Sequence, residues 1–240
     1  HFVPISALNG DNVVDRSKNT DWFGGSTFIY LLENIHIASD QNHIDARFPI
    51  QYVIRPQTAE HPDYRGYAGR IAGGAFKPGD NIKVLPSGFT SKIKSIDTYK
   101  EKLDLAYAPQ SVCITLEDDL DISRGDMIIR ENNVPKIGQD IDIMVCWLNE
   151  KPMVPSGKYA VKHTTRDVRC MIKEVTYKIN INTLNRDKED KVLNLNDIAR
   201  IKIRTTKPLF FDSYRKNRIT GSVILIDEAT NETVCAGMIV

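Results

Sequence analysis

From Ile44 onward, apolar and polar positions follow one another in short runs, and nearly every run is closed by Gly, Pro, Asn or Asp. Runs at 47–54, 64–71, 81–85, 90–98, 111–116 and 126–130 have the composition and length of strands. The turns between them are explicit: Gly73-Gly74, then Lys77-Pro78-Gly79-Asp80, then Pro86-Ser87-Gly88. Such spacing predicts a small antiparallel barrel over 44–137. After Pro135-Lys136-Ile137-Gly138 a second set begins, with strands expected at 140–147, 158–162, 168–177, 198–205, 222–227 and 234–240. It predicts a second barrel over 138–240, with the polar insert 183–190 as an exposed loop.

Residues 1–43 have a different character. Residues 2–5 read as an apolar strand that leaves its sheet into a small-residue loop, Ser6-Ala7-Leu8-Asn9-Gly10-Asp11. A helix is expected from a cap at Ser26 through 27–34, because Phe28, Leu31, Leu32 and Ile35 share one helical face. Little else in this segment can cover that face, so a neighbour is implied. The Ser6-Ala7-Leu8 loop has the chemistry of a guanine-recognition loop. A main-chain N–H at a small residue can donate to guanine O6, a position where adenine presents a donor of its own. The bland alternative is a strand-to-helix turn capped by Asp11. There is no G-x-x-x-x-G-K-[ST] phosphate loop and no Asn-Lys-x-Asp base grip. The expectation is therefore a strand-loop-helix remnant of an α/β nucleotide domain, cut just before its last nucleotide loop and followed by two β-barrels.

Charge adds an exclusion. The 240 residues carry a formal net charge of +1, which argues against a broad electrostatic grip on nucleic acid or anionic lipid. No apolar run approaches the roughly 20 residues of a membrane span, and no signal-peptide pattern opens the chain. Cys113, Cys146, Cys170 and Cys235 form no C-x-x-C pair and sit among apolar neighbours, as reduced, buried thiols of a cytoplasmic protein would. Zinc is disfavoured for the same reason.

The remaining candidate chemistry is thin. His1, His36, His43, His61 and His163 share no metal spacing, and there is no G-x-S-x-G elbow. His163 is expected in a polar turn between strands, with a contact to a partner as the functional alternative. Asp63-Tyr64-Arg65-Gly66 matches the D-x-x-G magnesium loop of GTPases, but it follows the guanine loop instead of preceding it and lies in a hairpin. Glu117-Asp118-Asp119 with Asp121 lacks the glycine of a calcium loop. It reads as a solvated turn in which Arg124 pairs locally with a carboxylate. Trp22 and Trp147 are expected to anchor the core or a domain boundary. No catalytic and no metal-binding residue is assigned.

Several segments, taken in order, carry a resemblance: ARFPIQYVIRP at 46–56, DYRGYAG at 63–69, VLPSG at 84–88, LEDDLDISRGDM at 116–127, KHTTR at 162–166 and NRITGS at 217–222. With the closing pair RITGSVILID at 218–227 and TVCAGMIV at 233–240, the layout resembles translational-type GTPases such as elongation factor Tu. The finer motifs resemble the large, GTP-hydrolysing subunit of bacterial sulfate adenylyltransferase, over essentially the whole chain. The resemblance implies barrels like domains 2 and 3 of elongation factor Tu. It also implies GTP and Mg2+ in the intact protein, neither held by this portion alone, and a small catalytic subunit as partner. Ser6, Ala7 and Leu8 would be the only nucleotide-contacting residues here. Two other functions remain open: translation-factor-like barrels that bind tRNA, and a stand-alone β-barrel interaction module.

Overall fold

The structure, a computed structural model, describes residues 2–35, 41–56, 58 and 63–240; His1, His36 and His61 lie outside these residues. The chain divides into two compact units, His1–Asp40 and Gln41–Val240. Among the described residues, no helix is long and apolar enough to cross a membrane.

The described residues of the first unit hold a single turn of 3-10 helix, Lys18–Thr20, and one α-helix, α1, Phe28–Asn34. The cap of α1 is Thr27, whose side chain accepts from the Tyr30 N–H, one residue later than the sequence suggests. The strand expected at 2–5 does not form. These residues lie in irregular backbone, Phe2 is 98% exposed, and the only pairing nearby among the described residues is a single Ser6–Asp11 bridge. A strand needs a neighbour to take up its main-chain groups, and the described residues of this unit supply none. The apolar face of α1 is likewise uncovered, with Phe28, Leu32 and Ile35 all exposed. Trp22 is not a core residue: it is 76% exposed, with the Phe23 ring edge-on to it.

The second unit contains two closed rings of strands. The first ring uses β1 (Arg47–Ile54), β2 (Gly66–Arg70), β4 (Asn81–Leu85), β5 (Thr90–Asp97), β7 (Ser111–Leu116) and β8 (Met127–Arg130) in the order β1-β2-β7-β5-β4-β8. A two-residue pair, β3 (Ala75–Phe76) with β6 (Ala106–Tyr107), closes over it. Its inward positions are large and apolar, with Phe48, Ile50, Phe76, Ile82, Ile96 and Ile114 fully buried. Closure leaves no free sheet edge.

The second ring is built from β9 (Lys136–Trp147), β10 (Lys158–His163), β11 (Arg166–Ile179), β13 (Ile198–Phe211), β14 (Ser222–Ile226) and β15 (Thr233–Ile239). Sheet order β10-β14-β15-β9-β13-β11 is closed by pairing of β10 with β11. The two-residue β12 (Arg186–Asp187) hangs on the end of β11, within the otherwise exposed insert. Trp147 is a core residue as expected, packed edge-on against Tyr159 with its indole N–H donating to the Lys151 carbonyl at 2.9 Å.

Candidate functional site

Two places bear on function: the Ser6–Leu8 loop of the first unit and the joint between the two barrels of the second. In the loop, Ser6 takes up its own surroundings. Its N–H donates to the Asp11 carbonyl at 3.2 Å, its carbonyl accepts from Gly10 N–H at 2.8 Å, and its hydroxyl accepts from Asn9 N–H at 3.3 Å. These bonds hold the intervening residues as a tight, projecting turn. The main-chain N–H groups of Ala7 and Leu8 have no acceptor among the described residues, and both residues are exposed, Leu8 to 96%.

Asn12 sits behind the turn, buried and with a positive φ of 55°. Its amide donates to the Pro4 carbonyl at 2.8 Å and the Thr20 hydroxyl at 2.7 Å, while its oxygen accepts from Ser17 N–H at 2.9 Å. Its carbonyl then accepts from Phe28 N–H at 2.9 Å, tying the start of α1 to the loop. Asparagine tolerates that backbone conformation better than most residues. What results is a braced turn presenting unpaired donors, a geometry that suits a carbonyl-type acceptor such as guanine O6. The sequence carries no G-x-x-x-x-G-K-[ST] motif beside it. Among the described residues no cluster of three His, Cys, Asp or Glu side chains could hold a metal.

The joint is the more developed polar site. Arg47, at the start of β1, is 1% exposed, yet every nitrogen of its guanidinium is used. Nε and Nη2 donate to Asp212 of the second barrel at 2.9 and 3.0 Å, and Nη1 donates to the Asn133 and Ala46 carbonyls at 2.7 and 3.0 Å. Such a two-pronged pair needs the planar fork of arginine. Asp212 also accepts from the Thr220 hydroxyl at 2.9 Å. Asp45 stands beside them. Burial alone would raise its pKa, but hydrogen bonds from Asn42, Asn133 and Lys216 outweigh this and lower it to about 2.

Three further contacts cross the same joint. The Asn217 amide donates to the Ala72 carbonyl at 2.9 Å, and its oxygen accepts from Ile219 and Thr220 N–H. Arg166 donates to the Gly125 carbonyl at 3.1 Å and stacks over the Phe210 ring at 4.8 Å. Phe210 in turn packs in an apolar cluster with Leu85, Met127 and Ile129 of the first barrel.

His163 is not in the expected polar turn. It ends β10, is 1% exposed, and its Nε2 lies 2.8 Å from the Thr220 carbonyl, so the ring carries its proton on Nε2. Burial lowers its pKa, against the opposing pull of the Thr220 carbonyl and Asp212. Thr164 and Thr165 form the turn, Thr164 with a φ of 52°. The acidic stretch is exposed, as expected, and only its pairing differs. Asp119 pairs with Arg65 at 2.7 Å, and Asp118 accepts from the Ser91 hydroxyl at 2.7 Å. Arg124 instead donates to the Gln51 carbonyl at 2.9 Å. The four cysteines are free thiols, Cys170 and Cys235 buried, Cys113 and Cys146 half-buried.

Five of the six segments that carry the family resemblance therefore meet at one place, through Arg47, Leu85, Gly125 with Met127, His163 with Arg166, and Asn217 with Thr220. The expected site residues Ser6, Ala7 and Leu8 belong to the other unit. No sequence signal marked Asp45, Asn133 or Asp212 individually, since each is a common polar residue whose partner lies far along the chain.

Comparison with known proteins accords with this arrangement. Residues 140–240 match the family described as GTP-eEF1A C-terminal domain-like. The bifunctional enzyme CysN/CysC of Mycobacterium tuberculosis (strain ATCC 25618 / H37Rv) is 49% identical over 238 residues, which is 99% of this chain and 39% of that protein. Sulfate adenylyltransferase subunit 1 of Bacteroides thetaiotaomicron is 44% identical over 246 residues, 99% of this chain and 50% of that protein. The chain thus spans half or less of the length of these two curated relatives. Among solved structures, one of sup35 complexed with GMPPNP superposes with a TM-score of 0.75 at 18% identity, over 99% of this chain and 57% of that one. At that identity the likeness shows the fold alone.

Proposed function

We propose that this chain, which is homologous from end to end to part of sulfate adenylyltransferase subunit 1 and of CysN/CysC, is the two-barrel portion of the GTP-hydrolysing subunit of an ATP sulfurylase. The parent enzyme makes adenylylsulfate and pyrophosphate from ATP and sulfate, an uphill step that GTP hydrolysis helps to drive. The chemistry of adenylyl transfer belongs to a small catalytic subunit. On this reading the barrels contain no catalytic residue and transmit the nucleotide state as one rigid body. Ser6, Ala7 and Leu8 would contact the guanine base, Ala7 and Leu8 through their free main-chain donors. Mg2+ and the phosphates would be held by residues outside this chain, and the assembly would be cytoplasmic.

The observation that carries the reading is the end-to-end similarity, supported by the meeting of the family's motifs at a buried joint. The alternative of a tRNA-binding factor draws on the fold alone, and the near-zero net charge speaks against it. The test is to purify the natural gene product with its companion subunit and follow pyrophosphate release from ATP. Release that requires sulfate and rises with GTP is expected. Release that ignores both would contradict the proposal.

A further inference from the structure

Two arginines sit at the joint, and they are served very differently. Arg47 has an acceptor for every guanidinium nitrogen. The Arg166 side chain is 13% exposed, yet only its Nη1 has one, the Gly125 carbonyl at 3.1 Å. Its buried Nε has no hydrogen-bond partner among the described residues, and neither has the buried hydroxyl of the adjacent Thr165. Asp126 stands 3.8 Å from Nη1, beyond hydrogen-bond reach, and its other oxygen accepts from Ser123 N–H at 2.9 Å. Phe210 covers one face of the guanidinium, but a ring face does not replace acceptors for N–H groups that lie in the guanidinium plane. Burial pulls the Arg166 pKa down, against the opposing pull of Asp126. Buried donors are nearly always partnered, so this cation is short of acceptors.

Arg166 borders an open cleft between the two barrels, about 480 Å³ in volume. Arg124 lines it from the first barrel and Lys207 from the second. Lys207 is free to do so because residues 205–208 of β13 stand against Gln139 alone on β9, and so loop out of the ladder. Arg124 and Lys207 are exposed and form no ion pair among the described residues. Arg124 uses Nη1 for the Gln51 carbonyl. Two carboxylates also line the cleft: Asp126, and Asp167, which lies opposite Lys162 in the β10–β11 ladder. Three cations against two carboxylates leave the cleft positive and rich in unused N–H donors. What complements it is an anion with several strong acceptor oxygens around one centre, which arginine forks grip well.

We propose that this inter-barrel cleft binds a tetrahedral oxyanion of the phosphate or sulfate class, held by Arg124 from one barrel and by Arg166 and Lys207 from the other. Bound there, the oxyanion bridges the barrels and stabilises their joint by mass action. The site follows from the joint alone and does not rest on the functional reading above.

The test is isothermal titration of the natural gene product, saturated with GDP and Mg2+ so that any nucleotide site is filled. The probes are inorganic phosphate, sulfate and ribose 5-phosphate, at constant ionic strength. Variants are Arg124→Gln, Lys207→Gln, the double variant, and Arg166→Lys, which keeps the charge and loses the fork. Each is melted as a check on folding, and Lys207→Gln, which removes no side-chain hydrogen bond of the fold, decides should the others fail to fold. Saturable binding of at least one probe is expected, weakened about tenfold in the double variant, as for one lost charge-assisted hydrogen bond. The probe should also raise the melting temperature of the natural protein and not that of the double variant. Tightest binding of ribose 5-phosphate would identify an esterified phosphate as the ligand, and tightest binding of phosphate or sulfate a free ion; either supports the site. Equal binding by natural and variant proteins would place the oxyanion elsewhere and overturn the proposal. Absence of saturable binding, or a response that matched sodium chloride reproduces, would overturn it too and leave the functional reading intact.

Discussion

Arg47 shows what a single residue does in this molecule. A guanidinium that is 1% exposed is tolerable only because Asp212, Asn133 and Ala46 satisfy it from several directions. Arg47→Ala leaves the Asp212 carboxylate buried with only the Thr220 hydroxyl, so stability should fall by about 3–5 kcal/mol in urea unfolding. Asp45 gives a pH effect of defined sign. Its folded pKa, about 2, lies below the usual carboxylate value. The stability it contributes is therefore present above about pH 4 and lost as pH falls through about 2, a contribution on the order of 2 kcal/mol. Asp45→Asn should flatten the dependence of unfolding free energy on pH across that window and leave the slope near neutrality unchanged. None of this pairing was legible locally. KHTTR reads as a polar turn because nothing near His163 reveals that Thr220 waits 57 positions away.

At the scale of elements, the barrel strands were legible because a closed wall imposes period two on nearly every strand. The exceptions have physical causes. Strand β13 was expected to stop at Thr205, before a Thr-Lys-Pro stretch that reads as a breaker. It runs on to Phe211 because the pairing with β9 jumps register between Arg204 and Leu209, with the Thr205 hydroxyl donating to the Lys207 carbonyl inside the irregularity. That continuation delivers Phe210 and Asp212 to the joint. The two-residue strands β3, β6 and β12 are too short to have a period at all. Strand 2–5 was misread because an apolar run says nothing about whether a partner strand is present. Between elements, Gly221 lets the chain after Asn217 press against Tyr214. A Cβ there would meet the Tyr214 main-chain nitrogen at 2.5 Å and the Asn217 carbonyl at 2.6 Å, and neither backbone atom can yield cheaply. Gly221→Ala should cost about 1–3 kcal/mol in thermal or urea unfolding, while Gly79→Ala, with open space around it despite its positive φ of 86°, reports backbone strain alone.

For the molecule as a whole, the joint converts two small barrels into one cooperative body. Buried ion pair, amide bridge and apolar cluster all span it, and Gln41–Val240 is a single compact unit. Calorimetry should show one transition for this unit, with matching calorimetric and van't Hoff enthalpies; two resolved transitions would mean that the barrels are independent. The fold class was readable from spacing and turns. The joint was visible only as a set of motifs whose common destination required three dimensions. The Ser6-Ala7-Leu8 loop was readable as three small or apolar residues; that only Ala7 and Leu8 keep free N–H groups was not, and its role is a proposal.

The account depends most on what these barrels hold. Isothermal titration of the 240-residue chain with the small catalytic subunit of sulfate adenylyltransferase, run beside aminoacyl-tRNA at physiological salt, tests that directly. Saturable binding of the subunit with no tRNA binding is the predicted result. Tight tRNA binding without any subunit binding would contradict it.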